Sequence, residues 1–155
     1  MKDAAWDALI AAYPEAKMVM RHDLDALSTV MGINLVLYDQ ATGLMWARNG
    51  NIAGKQMNWD DAMKWVKKLA YGGYSDWRLP TKEELGSFSK QGGDKPSQWF
   101  NANGFNSVQS YYYWSGSTSA DGTNGAYLVG MGNSFVYYGN KPNDGYVWPV
   151  RSGQF

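Results

Sequence analysis

Two pairs of adjacent carboxylates, Asp60-Asp61 and Glu83-Glu84, are the residues in this sequence whose type and spacing best fit general acid/base chemistry. Each pair falls in the first turn of a predicted helix. Negative charge at that position interacts favourably with the helix dipole and with the capping groups. We therefore interpret both pairs as structural rather than catalytic.

Composition leaves little room for other catalytic chemistry. The sequence has no cysteine, which excludes disulfides, thiolate metal sites and cysteine nucleophiles. Its single histidine, His22, lies in the charged stretch Arg21-His22-Asp23, which is typical of a solvated surface residue. No nucleophile-elbow, phosphate-loop or metal-ligand spacing is present. The sequence predicts a non-enzymatic protein with no catalytic residue, no metal site and no cofactor.

The region 101–146 is rich in Gly, Ser, Asn and Tyr and is the candidate binding region. Tyrosine offers a large amphipathic contact area with little rotamer entropy to lose, and Ser, Gly and Asn offer adaptable hydrogen bonds. The alternative is a set of glycine-rich hairpin loops whose tyrosines pack into a small core. The candidate ligand-binding residues are Ser107, Gln109, Tyr111, Tyr112, Ser117, Ser119, Asp121, Asn124, Tyr127, Asn133, Ser134, Tyr137, Tyr138, Asn140, Asn143 and Asp144.

Length and charge narrow the class of protein. The 155 residues fit one domain, 1–155, with residues 1–30 as an N-terminal helical extension. Fourteen basic and fourteen acidic side chains give a formal net charge of zero, which disfavours nucleic acid as a partner. No apolar run approaches the ~20 residues that cross a bilayer, so membrane insertion is not expected.

The elements that must position the candidate region begin with a helix. Residues 3–13 place Trp6, Leu9, Ile10 and Tyr13 on one helical face, and Pro14 ends the pattern. A strand at 33–38, a turn at 39–43 and a strand at 44–46 are predicted to follow. We expect the helix to pack on its own domain, with a neighbouring molecule as the alternative.

Two further helices are predicted from capping residues. Asn58 precedes a helix whose apolar stripe runs from Trp59 to Ala70 and which ends at Gly72-Gly73. Thr81 and Glu84 form a capping box, so a short helix starts at Lys82.

The second half reads as short strands at 113–118, 126–131, 134–138 and 146–151. Alternation along 134–138 places Ser134, Val136 and Tyr138 on one face and Phe135 and Tyr137 on the other. Helices before a small antiparallel sheet indicate an α+β domain, with two or more helices packed on small sheets and long Gly/Ser/Asn/Tyr-rich loops.

An ordered set of fragments links this chain to a known family. The fragments are 39–46, 59–62, 74–81, 83–85, 113–115 and 147–151. The set resembles the C-terminal domain of bacterial collagen-like adhesins, which has the C-type-lectin-like, formylglycine-generating-enzyme-like fold. The resemblance covers residues 33 to 151, and its most specific part is the Gly-Tyr-Ser-Asp-Trp-Arg-Leu-Pro-Thr stretch. Trp148 departs from the pattern, since an Arg or a similar residue is common there.

The resemblance implies a C-type-lectin-like fold but not the chemistry of its best-known members. Formylglycine-generating relatives use their own cysteines and copper, and this chain has no cysteine. Sugar-binding C-type lectins hold calcium with a Glu-Pro-Asn or Gln-Pro-Asp tripeptide, whereas Lys141 stands before Pro142 here and no Trp-Asn-Asp follows. We interpret 141–144 as a turn.

The fragments also predict structural contacts. Arg78 and Arg151 are expected to pair with a carboxylate such as Asp76, Glu83 or Glu84 and so to hold the loops together. Three aromatic residues inside the fragments are expected in the core. They are Tyr113, Trp114 and Trp148.

The C-terminal half also resembles the variable proteins of diversity-generating retroelements. In those proteins a C-type-lectin-like domain carries scattered substitutions, made at template adenines, in its last strands and loops. The mixture of Asn, Tyr, Ser, Asp and Gly between Ser107 and Asp144 fits such a process. The resemblance implies a binding domain for protein or cell-surface ligands whose surface is redrawn between relatives. The alternative is a fixed-specificity adhesin or phage tail-tip domain that binds carbohydrate or a host surface.

Two other interpretations concern assembly and location. A structural module that docks through Trp6, Leu9 and Ile10 is a third candidate, and association into a homo-oligomer is left open. Met1-Lys2-Asp3 is not followed by a signal-peptide core, so synthesis in the cytoplasm is expected. Display on a virion or a cell surface is left open.

Overall fold

The computed structural model describes residues 35–118 and 124–152, which contain three helices and six strands. The predicted helix at 3–13 and the first residues of the predicted strand at 33–38 lie outside this part of the chain. The helices are α1 (Trp59–Lys67), α2 (Lys82–Lys90) and α3 (Pro96–Ala102). The strands are β1 (Val36–Asp39), β2 (Leu44–Ala47), β3 (Tyr112–Thr118), β4 (Gly125–Gly130), β5 (Val136–Asn140) and β6 (Val150–Ser152).

The strands form two small antiparallel sheets, in the orders β1-β2-β6 and β3-β4-β5. The predicted turn between β1 and β2 is confirmed: the Asp39 side chain accepts a hydrogen bond from the backbone N–H of Ala41 at 3.0 Å, and the Asp39 carbonyl accepts one from Gly43 at 2.8 Å. Helices beside small antiparallel sheets confirm the α+β class.

Both predicted helix starts are confirmed by their caps. The Asn58 side chain accepts a hydrogen bond from the backbone N–H of Asp61 at 2.9 Å. Thr81 and Glu84 exchange side-chain-to-backbone hydrogen bonds of 3.1 Å and 2.8 Å, which is a complete capping box. These caps satisfy backbone donors that a helix leaves without an internal partner.

The predicted end of α1 at Gly72-Gly73 is wrong. The helix ends at Lys67, because the N–H groups of Lys68 and Leu69 bond to carbonyls three residues back and close the last turn. The two glycines, both with positive φ, instead form a turn in which Tyr71 and Tyr74 exchange backbone hydrogen bonds of 2.9 Å and 3.1 Å.

Two predicted strands need correction. The strand predicted at 134–138 lies at 136–140, because Ser134 has a φ of 66° and belongs to the turn between β4 and β5. The strand predicted at 146–151 is confined to β6, whereas Tyr146 makes only an isolated bridge to Tyr113. The strands predicted at 113–118 and 126–131 are confirmed to within one residue at each end.

Helix α3 was not predicted. It has seven residues, and no side chain caps its start. Pro96 at its first turn was the available signal, since proline favours that position. Its buried Phe100 stacks on Phe88 of α2 with ring centroids 4.5 Å apart.

The core is built on tryptophan. Trp46, Trp114 and Trp148 are almost completely buried, which confirms the core prediction for the last two and for Tyr113. The Trp46 ring stacks on Phe88 at 3.7 Å. The indole N–H of Trp114 donates to the Met57 carbonyl at 2.9 Å, and that of Trp148 donates to the Ala47 carbonyl at 2.8 Å. These bonds satisfy groups that would be costly to bury alone.

Two arginines pair with carboxylates, as predicted: Arg78 with Glu84 of helix α2, and Arg151 of β6 with Asp76. Arg78 makes two hydrogen bonds to Glu84, at 2.7 Å and 2.9 Å. Arg151 makes two to Asp76, at 2.6 Å and 3.0 Å, and lies 3.8 Å from the centre of the Tyr74 ring. The Arg151 side chain is only 8% exposed, whereas Asp76 is 62% exposed. A buried guanidinium is therefore held by a carboxylate at the surface.

Asp76→Asn is expected to lower the free energy of unfolding by about 1–2 kcal/mol at neutral pH, because it leaves the buried Arg151 with a weaker partner. The exposure of Asp76 keeps the cost below that of a fully buried pair. Denaturant unfolding followed by circular dichroism measures the change. Glu83→Gln, which neutralises an exposed carboxylate of α2, is the control and is expected to change stability by less than about 0.5 kcal/mol.

The same pair predicts a pH dependence. Hydrogen bonds from Arg151 hold the pKa of Asp76 below its ordinary value, which is about 3.9 in an unfolded chain. The stabilisation is therefore present above about pH 4 and is lost as the pH falls through the lower folded pKa. Acidification should destabilise Asp76→Asn less steeply than the wild type. Equal acid sensitivity of the two proteins would contradict this role.

Candidate ligand-binding surface

The candidate residues lie at the surface of the described structure. Ser119 and Asp121 lie outside the described residues, and none of the other fourteen candidates is buried. The exposed ones are Ser107, Tyr111, Tyr112, Asn124, Asn133, Tyr138, Asn140, Asn143 and Asp144. Those of intermediate exposure are Gln109, Ser117, Tyr127, Ser134 and Tyr137.

Strand register divides the tyrosines between the two faces of the β3-β4-β5 sheet. Tyr127 pairs with Tyr138, so these two side chains share one face. Leu128 pairs with both Trp114 and Tyr137, so Tyr137 lies on the opposite face. Tyr112 shares that opposite face, because it lies two residues before Trp114. The candidates therefore do not form one continuous patch, and Val136, Tyr137 and Tyr138 alternate as predicted.

The first face, called the Lys82 face, consists of Lys82, Tyr127, Val136 and Tyr138. The Lys82 ammonium lies 4.0 Å from the centre of the Tyr127 ring, a cation–π arrangement. Tyr127 and Tyr138 meet edge to face with centroids 5.6 Å apart. Gly125 allows this arrangement, because a β-carbon there would overlap the Tyr138 ring.

Ser117 connects the Lys82 face to helix α2. Its hydroxyl accepts a hydrogen bond from the backbone N–H of Lys82 at 3.0 Å. The first turn of the helix is thereby tied to β3. This bond gives Ser117 a positioning role in addition to its place at the surface.

The second face, called the Tyr112 face, consists of Tyr112, Asn133, Phe135 and Tyr137. The rings of Tyr112 and Tyr137 meet edge to face at 4.7 Å. The Asn133 amide donates to the Tyr137 hydroxyl at 2.7 Å and accepts from the Phe135 backbone N–H at 3.1 Å. Phe135 is 62% exposed. These bonds hold the ring of Tyr137 in place.

Ser134 is a structural residue of the turn rather than a free surface hydroxyl. Its hydroxyl donates to the Gly93 carbonyl at 2.9 Å and approaches the Ser89 carbonyl at 3.2 Å. Its positive φ is a conformation that few non-glycine residues adopt. The turn is thereby attached to the end of helix α2.

The loop 107–111 also orders itself around a buried group. The Tyr113 hydroxyl donates to the Gly50 carbonyl at 2.6 Å and accepts from the Gln109 backbone N–H at 2.9 Å. The Gln109 side chain donates to the Ser107 carbonyl at 2.9 Å. Burial raises the pKa of the Tyr113 phenol, so it stays protonated and remains a donor.

The segment after β5 is a turn, as predicted. The Asn143 backbone N–H donates to the Asn140 carbonyl at 3.0 Å. Lys141 points its ammonium at the Trp59 ring, 4.1 Å from its centre. Asn143 and Asp144 are exposed at the tip. The Lys141 ammonium thus makes a cation–π contact with Trp59.

Sequence reasoning missed three residues of this surface: Lys82, Phe135 and Val136. Phe135 and Val136 are 62% and 49% exposed. The available signal in the sequence was the alternation of residues along β5. At the edge of a sheet, the side chains on both faces of a strand can be exposed. Lys82 follows the capping box directly, but its contact with Tyr127 depends on tertiary packing.

The two carboxylate pairs lie at the helix positions that the sequence predicts. Asp60-Asp61 and Glu83-Glu84 lie in the first turns of α1 and α2. Hydrogen bonds from Arg78 lower the pKa of Glu84. Residues 35–118 and 124–152 contain no group of three or more His, Cys, Asp or Glu side chains placed to hold a metal ion. No helix in these ranges is long and apolar enough to cross a membrane.

Two hollows lie away from the candidate residues, beside the β1–β2 turn. One of about 690 Å³ lies between that turn and α2, and one of about 450 Å³ lies between it and α3. Both contact Asp39, Trp46 and Gln91. The second also contacts Trp99, which is 38% exposed.

The fold is that of a C-type-lectin-like domain, a class that binds ligands. The family model described as the Lcl C-terminal domain matches residues 35–151, and the chain belongs to this family. The match confirms the predicted resemblance over almost the same residues. A comparison with curated protein sequences gives no match.

Tyr112 and Tyr113 are neighbours in β3, but Tyr112 is exposed and Tyr113 is buried. Tyr113→Phe is expected to lower the free energy of unfolding by about 1–3 kcal/mol, because it leaves the Gly50 carbonyl and the Gln109 N–H without their partner. Tyr112→Phe removes an exposed hydroxyl and is expected to cost less than about 0.5 kcal/mol. Thermal unfolding of the two variants measures both changes, and equal costs would refute the distinction.

Proposed function

We propose that this chain is a non-enzymatic ligand-binding domain of the type found as variable proteins of diversity-generating retroelements. In this proposal it binds a protein or cell-surface receptor through residues of the Lys82 face, the Tyr112 face and the adjoining loops. Side-chain variation between relatives changes the ligand while the fold is kept.

The observation that carries the proposal is the separation of surface from core along the same strands. In β3, exposed Tyr112 precedes buried Tyr113 and Trp114. In β4, half-buried Tyr127 lies between buried Ala126 and Leu128. A domain can vary its binding residues only if those residues do not carry the hydrophobic core, since large changes in buried side chains cost several kcal/mol, on the order of 2–5. The described candidates meet that condition.

The chemistry of the surface supports a protein ligand. Tyrosine and phenylalanine side chains provide large, rigid contact areas, and aromatic residues are enriched where protein interfaces bind most strongly. The Asn133 amide and the Lys82 ammonium are already oriented by contacts to Tyr137 and Tyr127. Preorganised side chains lose less entropy on binding.

The absence of catalysis is part of the proposal. Of the two carboxylate pairs, Glu84 is engaged by Arg78 and by its own capping box. Asp60 and Asp61 occupy the first turn of α1, where Asp61 bonds to Asn58 through its backbone. These roles favour structure over proton transfer.

Sequencing the 3′ end of this gene across its source population tests the proposal. We expect amino-acid changes to cluster at exposed positions such as Tyr111, Tyr112 and Tyr138. Trp114 and Arg151 should stay unchanged, because Trp114 lies in the core and the buried Arg151 guanidinium pairs with Asp76. A neighbouring reverse-transcriptase gene with a near-copy of the 3′ end is the genomic counterpart. A uniform sequence would remove the variable-protein interpretation and leave a domain of fixed specificity.

A fixed-specificity carbohydrate-binding domain is the second candidate, and the hollow beside α3 favours it. Half-exposed Trp99 lies there with the amide side chains of Gln40, Gln91 and Asn103. Amides both donate and accept hydrogen bonds, as sugar hydroxyls do, and an indole offers an apolar surface.

A glycan array tests this second candidate. The wild-type protein should bind a glycan, and Trp99→Ala should lose at least roughly tenfold in affinity. Tyr112→Ala, which changes strand β3 away from the hollow, should retain binding. The absence of glycan binding by the wild type, or equal binding by Trp99→Ala, would reject it.

A further inference from the structure

Strand β5 is the open edge of its sheet. The order β3-β4-β5 leaves β5 paired on one side only. An edge strand presents unpaired backbone N–H and C=O groups on its other side, which are able to pair with an added strand. The hydrogen-bond pattern of the β4–β5 pair determines which residues present these groups.

Two backbone hydrogen bonds lie at the ends of the β4–β5 pair. The Gly130 N–H donates to the Phe135 carbonyl at 2.9 Å, and the Lys141 N–H donates to the Asn124 carbonyl at 2.8 Å. In an antiparallel pair, alternate residues of a strand point their backbone groups toward the partner strand. Phe135 and Lys141 are six positions apart and thus point the same way, together with Tyr137 and Gly139.

Val136, Tyr138 and Asn140 therefore point their backbone groups away from β4. The Asn140 carbonyl is occupied, because it accepts from the Asn143 N–H. Within the described chain, the backbone groups of Val136 and Tyr138 make no hydrogen bond. Both residues are exposed, at 49% and 52%. The edge thus offers two donors and two acceptors at alternating positions.

The side chains around this edge suit a polypeptide rather than a small ligand. Tyr138 and Val136 flank it on the Lys82 face, and Phe135 and Tyr137 flank it on the Tyr112 face. Natural edge strands are commonly protected by a charged residue, a proline or a bulge. The sequence Val-Tyr-Tyr-Gly-Asn of β5 contains neither charge nor proline, and its pairing with β4 is regular.

We propose that the β5 edge recognises an extended segment of the protein ligand, which adds to the sheet as a fourth strand. The backbone groups of Val136 and Tyr138 supply hydrogen bonds that do not depend on the sequence of the partner. Exposed side chains of the two faces supply the specificity. This inference rests on the proposed function and specifies its partner as a polypeptide with an accessible extended segment.

A second copy of this chain would pair with the β5 edge through the same backbone groups. The short length of the edge argues against a second copy. Two copies pairing through β5 alone would contribute the five residues of that strand each. Stable interfaces use roughly 20–30 residues on each side. A ligand segment is different, because it gains main-chain bonds while its neighbouring side chains contact both aromatic faces.

The test uses a phage-displayed library of random linear peptides selected on the wild-type chain. Selected peptides should bind Val136→Pro at least roughly tenfold more weakly, because proline removes the outward N–H and places a ring at the edge. Val136→Thr keeps the N–H and changes only the side chain, so it is the matched control for the side-chain contribution, and Val136→Pro should bind at least roughly tenfold more weakly than Val136→Thr. Proline is tolerated in edge strands where the N–H faces solvent, and circular dichroism checks the fold.

Hydrogen exchange on the wild-type chain provides a second measurement that does not depend on the folding of a variant. The amide protons of Val136 and Tyr138 should be protected when a selected peptide is bound. Equal binding by Val136→Pro and wild type, or peptide binding without protection of these two amides, would overturn the proposal.

Three further outcomes separate this proposal from the proposed function. Binders obtained only from a library of folded domains, lost in Tyr138→Ala, would support the surface and reject the edge. The absence of binders from both libraries would reject both. A dimer seen by sedimentation in the wild type and dissociated by Val136→Pro would assign the edge to a second copy, and would also overturn the proposal.

Discussion

The structure depends on two buried indole N–H groups that reach backbone carbonyls far away in the sequence. Trp114 of β3 bonds to Met57, just before α1, and Trp148 bonds to Ala47 of β2. The C-terminal half has few aliphatic side chains, so it cannot form a core alone. Its tryptophans insert into the N-terminal half instead, and the hydrogen bonds fix their depth and direction.

Features that depend on a few neighbouring residues could be predicted from the sequence. The caps at Asn58 and Thr81 require only residues three positions apart, and both are present. Arg78 and Arg151 were expected to pair with a carboxylate such as Asp76, Glu83 or Glu84, and the partners are Glu84 and Asp76. The surface character of the candidates followed from residue type, because Tyr, Ser and Asn tolerate water.

Features that depend on register and tertiary packing could not be predicted. The positive φ of Ser134 is held by carbonyls of Ser89 and Gly93, and it moves β5 by two residues. The division of the tyrosines between two faces follows from pairing with β4, which a single strand does not reveal. Helix α3 lacks a capping side chain and is held by the packing of Phe100.

The pairing of β2 with β6 has a kinetic consequence. Arg151 contacts Met45 across 106 positions of sequence, and the candidate binding region lies inside the long loop that this contact closes. The entropy of closing a loop grows only slowly with its length, so insertions between β3 and β5 should cost little at equilibrium. Such distant contacts nevertheless slow folding. During synthesis, the first sheet cannot be completed until β6, the strand that follows the candidate binding region, has emerged, so that region is translated before the fold can close around it.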